Sequence, residues 1–154
     1  MIEFVPTRKR HLRVIEQNLL PGDVAELEAT GKSVSYALYE SFYKSRECLT
    51  IMIDGRASAV FGVGVFPEYP TVGVPWLLCT DQIKGKELSL MKSAKTVIEL
   101  WSRDYDLMTN IVHDANESAK GLIETLGFKF PDEFDLVINP VTGEPFRVFL
   151  KENT

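Results

Sequence analysis

Two side chains in this sequence are of types that suit proton transfer or nucleophilic attack. His113 follows an apolar run, Leu107–Val112, and the ordinary pKa of histidine suits proton transfer near neutral pH. A single histidine at the end of a strand is more often a structural residue. Cys79 lies within the apolar run Trp76–Thr80 and has no histidine nearby in sequence. We therefore predict a buried thiol at Cys79 and leave His113 as the candidate acid or base.

A polar loop between an apolar segment and an amphipathic segment is the second candidate site. It reads Gln82-Ile83-Lys84-Gly85-Lys86-Glu87. Free backbone N–H groups at a helix start, a glycine and two lysines together favour binding of a phosphate. The alternative is a solvated loop that only caps the helix. Glu87 favours this alternative, because a carboxylate in the first turn suits the helix dipole but repels a phosphate.

Composition and missing motifs exclude several other functions. The 154 residues carry a net charge of -5, which disfavours a broad nucleic-acid-binding surface. Two histidines cannot form a His-rich metal site, and the sequence has no Cys-x-x-Cys, no Gly-x-Ser-x-Gly and no P-loop. No apolar run is long enough to span a bilayer, and the N-terminal charges are in the wrong order for a signal peptide. We expect a cytoplasmic protein in which Cys48 and Cys79 are buried thiols.

The apolar periodicity predicts one α/β unit over residues 1–154, with a mixed, mostly antiparallel central sheet flanked by helices. Asp54-Gly55 predicts a hairpin between two strands, and Pro75 predicts a bulge or splay in the next strand. Pro21-Gly22 is expected to end the first helix, and Asp23 with Glu26 to cap the second. The predicted strands are 2–6, 48–53, 57–66, 72–80, 107–112, 134–138 and 146–150, and helices precede the second strand and flank the fifth.

This order of elements resembles the GCN5-related N-acetyltransferase (GNAT) fold. Asn116 after a strand, Ala119 beyond it and Leu126-Gly127-Phe128 at a helix end match the second half of that fold. The resemblance implies acetyl-CoA as the ligand, no metal, and Asn116 beside the acyl-CoA arm. It also implies that backbone amides of Leu78, Cys79 and Thr80 stabilise an oxyanion. The residues implied to hold the coenzyme pyrophosphate are Gln82, Lys84, Gly85 and Lys86.

The sequence departs from the GNAT pattern at two positions. Glu87 stands where the family keeps Gly or Ala, and Ile123 stands where many members carry a tyrosine general acid. Isoleucine cannot donate a proton, so His113 is the nearest replacement in that segment. Glu47 and Glu68 are the candidate general bases, but neither has a spacing that distinguishes it from a solvated carboxylate.

A narrower resemblance is to the small GNAT-like internal virion proteins of short-tailed, podovirus-type bacteriophages. It depends chiefly on Glu47-Cys48-Leu49-Thr50 and Thr80-Asp81-Gln82-Ile83. It implies a degenerate acyl-CoA site, contacts with virion or host proteins, and a location in the host cytoplasm or the virion. An active N-acetyltransferase and a CoA-binding module without turnover remain open alternatives. Aromatic residues that could anchor a partner are Phe66, Tyr69, Trp76, Phe130 and Phe134.

Overall fold

The computed structural model describes residues 1–153 and contains one seven-stranded sheet with the strand order β1-β2-β3-β4-β5-β7-β6. The predicted mixed, mostly antiparallel sheet flanked by helices is confirmed. The strands are β1 (Ile2–Pro6), β2 (Ser45–Ile53), β3 (Arg56–Phe66), β4 (Tyr69–Cys79), β5 (Leu107–His113), β6 (Val137–Ile138) and β7 (Pro145–Glu152). The helices are α1 (Lys9–Asn18), α2 (Pro21–Glu28), α3 (Val34–Lys44), α4 (Glu87–Ser102) and α5 (Glu117–Thr125), and a 3₁₀ turn covers Asp81–Ile83.

The hairpin between β2 and β3 forms where the sequence predicts it. Asp54 and Gly55 have φ angles of 50° and 78°, as a two-residue turn with two left-handed positions requires. This turn aligns β2 with β3, and β3 then pairs with β4 in antiparallel register from Ala59↔Cys79 onward. The central strands are therefore assembled by local connections.

The parallel pairing between β4 and β5 is short. It consists of Val72↔Leu107 and Gly73↔Met108, after which the two strands separate. Pro75 follows immediately and cannot donate to a ladder, which accounts for the splay predicted at this position. We call the gap beyond these pairs, up to the ends of β4 and β5, the β4–β5 cleft.

The hydrophobic core lies on both faces of the sheet. One cluster, centred on Phe61, Met91 and Met108, packs beneath α4 and α5. The other, centred on Leu12 and Leu38, packs beneath α1 and α3. Because β4 gives Cys79 to the first cluster and Leu78 to the second, it is covered on both faces, as its apolar sequence predicts.

The connection between α1 and α2 differs from the prediction. Pro21 does not end a helix but begins α2, at the first helical position where its missing N–H costs nothing. Asp23 is therefore inside the first turn and does not cap it. Arg8 holds the N-cap position of α1.

Other predicted boundaries shift by a few residues. β4 begins at Tyr69, earlier than the predicted 72, because it pairs with Phe66 across the turn. The predicted strand 134–138 shortens to Val137–Ile138, which is the part that pairs with β7. Cys79 is buried, Cys48 is half-buried, and both are free thiols. Within residues 1–153, no helix combines the length and apolarity that crossing a membrane requires.

Candidate functional site

Helix α2 closes the open end of the β4–β5 cleft. The Asp23 carboxylate accepts a hydrogen bond of 2.9 Å from the backbone N–H of Cys79, the last residue of β4. The Glu26 carboxylate accepts one of 3.1 Å from the backbone N–H of His113, the last residue of β5. The two carboxylates lie three residues apart on one helix face, so α2 spans the cleft with one carboxylate on each strand.

Asn116 connects these two carboxylates. Its Nδ2 donates to Asp23 Oδ1 at 3.0 Å and to Glu26 Oε1 at 3.1 Å, which uses both amide hydrogens. Its Oδ1 accepts from the Ala119 N–H at 3.2 Å and so caps α5. We call Asp23, Glu26 and Asn116 the carboxylate cluster. The Asn116 side chain is fully engaged inside this cluster.

The environment of the cluster raises the pKa of both carboxyl groups. Burial raises the pKa of Glu26 from 4.5 to about 7, although the hydrogen bond from Asn116 lowers it; the nearby Asp23 charge raises it further. Burial also raises the pKa of Asp23, against the hydrogen bonds from Cys79 and Asn116 that favour the charged form. At neutral pH, Glu26 is thus close to the midpoint of its titration.

Most backbone groups of β4 that face the cleft already have partners in the chain. The Cys79 N–H donates to Asp23, and the Cys79 carbonyl accepts from the Leu20 N–H at 2.9 Å. Pro75 has no N–H, and its carbonyl accepts from Asn110 Nδ2 at 2.8 Å. Because successive residues of a strand turn their N–H groups to opposite sides, Leu77 supplies the remaining cleft-facing amide.

The amides predicted to stabilise an oxyanion have other partners. The Thr80 N–H donates to the Ser58 carbonyl at 3.0 Å, within the sheet. By strand alternation, the Leu78 N–H points toward β3 as well. The Cys79 N–H is the one that faces the cleft, and Asp23 already accepts from it. None of the three is free in this structure to meet an oxyanion.

A cavity of about 290 Å³ lies within the cleft below the carboxylate cluster. Its walls are mainly apolar, and Glu26 contributes the carboxylate. Ile123 lies in the wall, so the position where the GNAT pattern has a tyrosine is occupied here by hydrocarbon. The sequence-based conclusion that this position has no proton donor is consistent with that placement.

The loop before α4 retains features of a phosphate site. Gly85 has a φ of +81°, and a Cβ built there would meet nothing within 4 Å. No side chain caps α4, whose first internal bond runs from the Leu90 N–H to the Lys86 carbonyl. The N–H groups at its start are therefore open, and Lys84 and Lys86 are exposed beside them. Glu87 is half-buried as the first residue of α4 and adds a negative charge.

The predicted site residues fall into separate places. Cys79 and Asn116 meet at Asp23, and Gln82, Lys84, Gly85 and Lys86 lie together on the loop. The His113 ring lies outside the cavity wall, with Nε2 3.0 Å from Glu144 Oε1 and its face against Phe146. Its role as an acid stays a prediction, now with Glu144 as its partner.

Sequence reasoning missed the functional potential of Asp23 and Glu26. Their spacing was attributed to helix capping, whereas Asp23 shares its buried helix face with Leu27. A carboxylate on the apolar face of a short helix was the available signal, because buried acids are rare unless they are paired. Asn110 bridges the cleft by donating to the Pro75 carbonyl, and the sequence around it contains no comparable indication of that role.

The loop before α4 offers coenzyme A more free polar groups than the end of the cleft does. The open amides and the lysines suit a diphosphate. The pantetheine arm carries amides that need partners, yet on the cleft edge of β4 Cys79 and Pro75 are bonded to Leu20, Asp23 and Asn110, which leaves the backbone of Leu77. Leu19 also forms a bridge with Thr80 at the same edge. The bonds to Leu20 and Asp23 thus occupy both backbone groups of Cys79 at the end of β4.

The tight packing of α2 against Asn116 can be tested with glycine variants. A Cβ at Gly22 would lie 2.7 Å from Asn116 Oδ1, an atom that the cluster holds in place. We expect Gly22→Ala to lower the free energy of unfolding by about 1–3 kcal/mol through overpacking. Gly121→Ala is the control, since that Cβ would enter open space in α5 and should stabilise by about 0.4–1 kcal/mol. If Gly22→Ala and Gly121→Ala change the free energy of unfolding in urea by the same amount, the close packing of α2 is contradicted.

No protein-family model and no curated protein matches the sequence. Many solved structures match the fold. Aminoglycoside acetyltransferase AAC(6')-Ib bound to acetyl-CoA gives a TM-score of 0.69 at 15% identity, covering 99% of this chain and 93% of that one. RimL, a ribosomal L7/L12 alpha-N-protein acetyltransferase bound to coenzyme A, gives a TM-score of 0.68 at 9% identity, covering 98% of this chain and 93% of that one. The ribosomal-protein-S18-alanine N-acetyltransferase from Escherichia coli gives a TM-score of 0.65 at 16% identity, covering 99% of this chain and 94% of that one. The chain has the fold of the GNAT acetyltransferases.

Proposed function

We propose that this chain is a GNAT-fold protein that acts through contacts with other proteins and does not turn over acetyl-CoA. The observation that carries the proposal is that α2 closes the end of the β4–β5 cleft, with Asp23 on the end of β4 and Glu26 on the end of β5. In this arrangement the Cys79 N–H already donates to Asp23 and is not available to an acyl group. Ile123 removes the usual proton donor as well.

The sequence resemblance extends this proposal to a biological setting. We propose a bacteriophage protein that contacts virion or host proteins, located in the host cytoplasm or packaged in the virion. Of the aromatic residues predicted as anchors, Phe66, Tyr69 and Phe134 are exposed, which suits contact with a partner. Trp76 and Phe130 are partly buried and pack against the core.

The proposal is tested by measuring thiol release from acetyl-CoA with a panel of primary amines. The purified protein should give no release above the rate without enzyme, because the arm cannot reach the cleft. A GNAT-fold aminoglycoside acetyltransferase with its own amine substrate serves as the positive control. Saturable, amine-dependent release by this chain would reject the proposal.

An active N-acetyltransferase is the second candidate, and Glu26 favours it. A carboxylate with a pKa of about 7 in the wall of an apolar cavity is suited to accept a proton from an ammonium group at neutral pH. This candidate requires α2 to move, since Glu26 now bonds to His113 and Asn116. If the assay detects turnover, Glu26→Gln should abolish it.

A CoA-binding module without turnover is the third candidate, and the loop before α4 favours it. Open amides, Gly85 and two exposed lysines would hold the diphosphate even with the cleft closed. This candidate predicts thermal stabilisation by coenzyme A without formation of an acylated product.

A further inference from the structure

Exposed apolar residues are concentrated at one edge of the sheet. Ile138 is 56% exposed and Val141 is 78% exposed, and both lie at or beside β6, the outermost strand. Proteins usually protect an edge strand with lysine or proline, or by covering it. We call the following residues the β6 strip: Phe134, Leu136, Val137, Ile138 and Val141.

The backbone of β6 offers hydrogen-bonding groups to the outside. The Asn139 N–H donates to the Glu144 carbonyl at 2.9 Å, so Asn139 faces the β7 side. Ile138, opposite Pro145, must then turn its N–H and carbonyl away from β7. Within residues 1–153, no strand lies beyond β6 on that side. An additional strand could therefore continue the ladder here.

The edge is held in a fixed position before any partner binds. Asn139 Oδ1 accepts from the N–H groups of Val141 and Thr142 at 2.9 and 3.0 Å. The Thr142 hydroxyl donates to the Ala29 carbonyl at the end of α2, at 2.6 Å. A surface that is already ordered loses little conformational entropy on binding.

The segment that carries the β6 strip contains charged residues of one sign only. Between Phe130 and Phe146 the sequence contains Asp132, Glu133, Asp135 and Glu144 and no lysine or arginine. Asp132, Glu133 and Asp135 are exposed. A basic partner would be attracted to this segment, whereas a second copy would place like charges side by side.

We propose that the outer edge of β6 binds an extended segment of another protein that carries apolar and basic side chains and adds to the sheet as a strand. This inference rests on the proposed function in protein contacts. It names the surface and the chemistry of the partner: backbone bonds to Ile138, apolar contact with the β6 strip, and lysine or arginine opposite Asp132, Glu133 and Asp135.

The test uses a short labelled peptide of alternating valine and lysine, with binding followed by fluorescence anisotropy. We expect saturable binding that Ile138→Lys weakens by about tenfold or more, because the new charge repels the peptide at the ladder. Leu88→Lys is the matched control, since Leu88 is 81% exposed on α4 and distant in the fold, and it should leave binding unchanged. A peptide with the same side chains but N-methylated ladder amides should not bind.

Three results would overturn the proposal. If the N-methylated peptide binds as tightly as the unmodified peptide, the interaction depends on charge attraction and not on backbone hydrogen bonds. Unchanged binding by Ile138→Lys would place the peptide elsewhere. Self-association of the wild type in sedimentation, abolished by Ile138→Lys, would assign the edge to a second copy. The thiol-release assay decides the proposed function separately, because turnover at the cleft leaves the β6 edge unchanged.

Discussion

Glu26→Gln is expected to raise the free energy of unfolding by about 3 kcal/mol near pH 8. In the folded protein the pKa of Glu26 is raised to about 7 by burial, so the ionised carboxylate is destabilising there. Glutamine keeps an oxygen that can accept from the His113 N–H and from Asn116, but it carries no charge. A substitution at a hydrogen-bonded polar position should thus stabilise the fold, which is rare among point mutations.

The sign of the pH dependence follows from the direction of this shift. The folded carboxyl binds its proton more tightly than the unfolded one, whose pKa is near 4.5. Its stabilising contribution is therefore fully present below about pH 4.5 and is lost as the pH rises through about 7. Urea unfolding of the wild type and Glu26→Gln should diverge across this window and agree below it.

Glu28→Gln is the matched control for Glu26→Gln, because Glu28 is an exposed residue of the same helix. It should change stability by no more than about 0.5 kcal/mol at any pH. If Glu26→Gln and the wild type have the same free energy of unfolding from acid to about pH 8, Glu26 is not buried as described.

Asn116→Ala is expected to lower the free energy of unfolding by about 3 kcal/mol or more near pH 8. It removes the side-chain cap of α5 and the two amide donations from Asn116 to the carboxylates of Asp23, which is buried, and Glu26, which is half-buried. A lost cap costs about 1 kcal/mol, and a buried charged group without its partner costs about 1–3 kcal/mol or more. Asn18→Ala, which removes one bond to the Val14 carbonyl, should cost only about 1 kcal/mol.

The decrease in the free energy of unfolding caused by Asn116→Ala should be smaller near pH 5 than near pH 8. Because the folded carboxyl groups of Asp23 and Glu26 take up protons more readily than usual, acid leaves fewer charges that depend on the amide. Urea denaturation of both variants at the two pH values measures this difference. A loss that does not depend on pH would mean that Asn116 acts only as a cap.

Local signals in the sequence predicted most of the framework. Asp54-Gly55 determined the β2–β3 hairpin, and Ser33 caps α3 by accepting from the Tyr36 N–H at 3.1 Å. Pro75 correctly indicated where β4 and β5 separate. Each of these features depends on backbone preferences that a few neighbouring residues fix.

The candidate site depends on contacts between distant segments, so the sequence indicated it only in part. Asn116 was singled out from the sequence as a residue beside an acyl-CoA arm, but its partner Asp23 lies 93 residues away. Within a short window, Asp23 and Glu26 resemble a helix cap; their role follows from where α2 packs on the splayed sheet. Likewise, nothing near His113 in the sequence indicated that Glu144, 31 residues on, would lie against its ring.

The central claim, that α2 keeps the coenzyme arm out of the β4–β5 cleft, is tested most directly by comparing two ligands by calorimetry. One is acetyl-CoA, and the other is its phosphorylated adenosine diphosphate end without the pantetheine arm. If α2 keeps the arm out of the cleft and only the loop before α4 contacts the ligand, the two should bind with the same affinity within about twofold, or neither should bind. Binding of acetyl-CoA that is tenfold tighter or more, about 1.4 kcal/mol, would show the arm in the cleft and contradict the account.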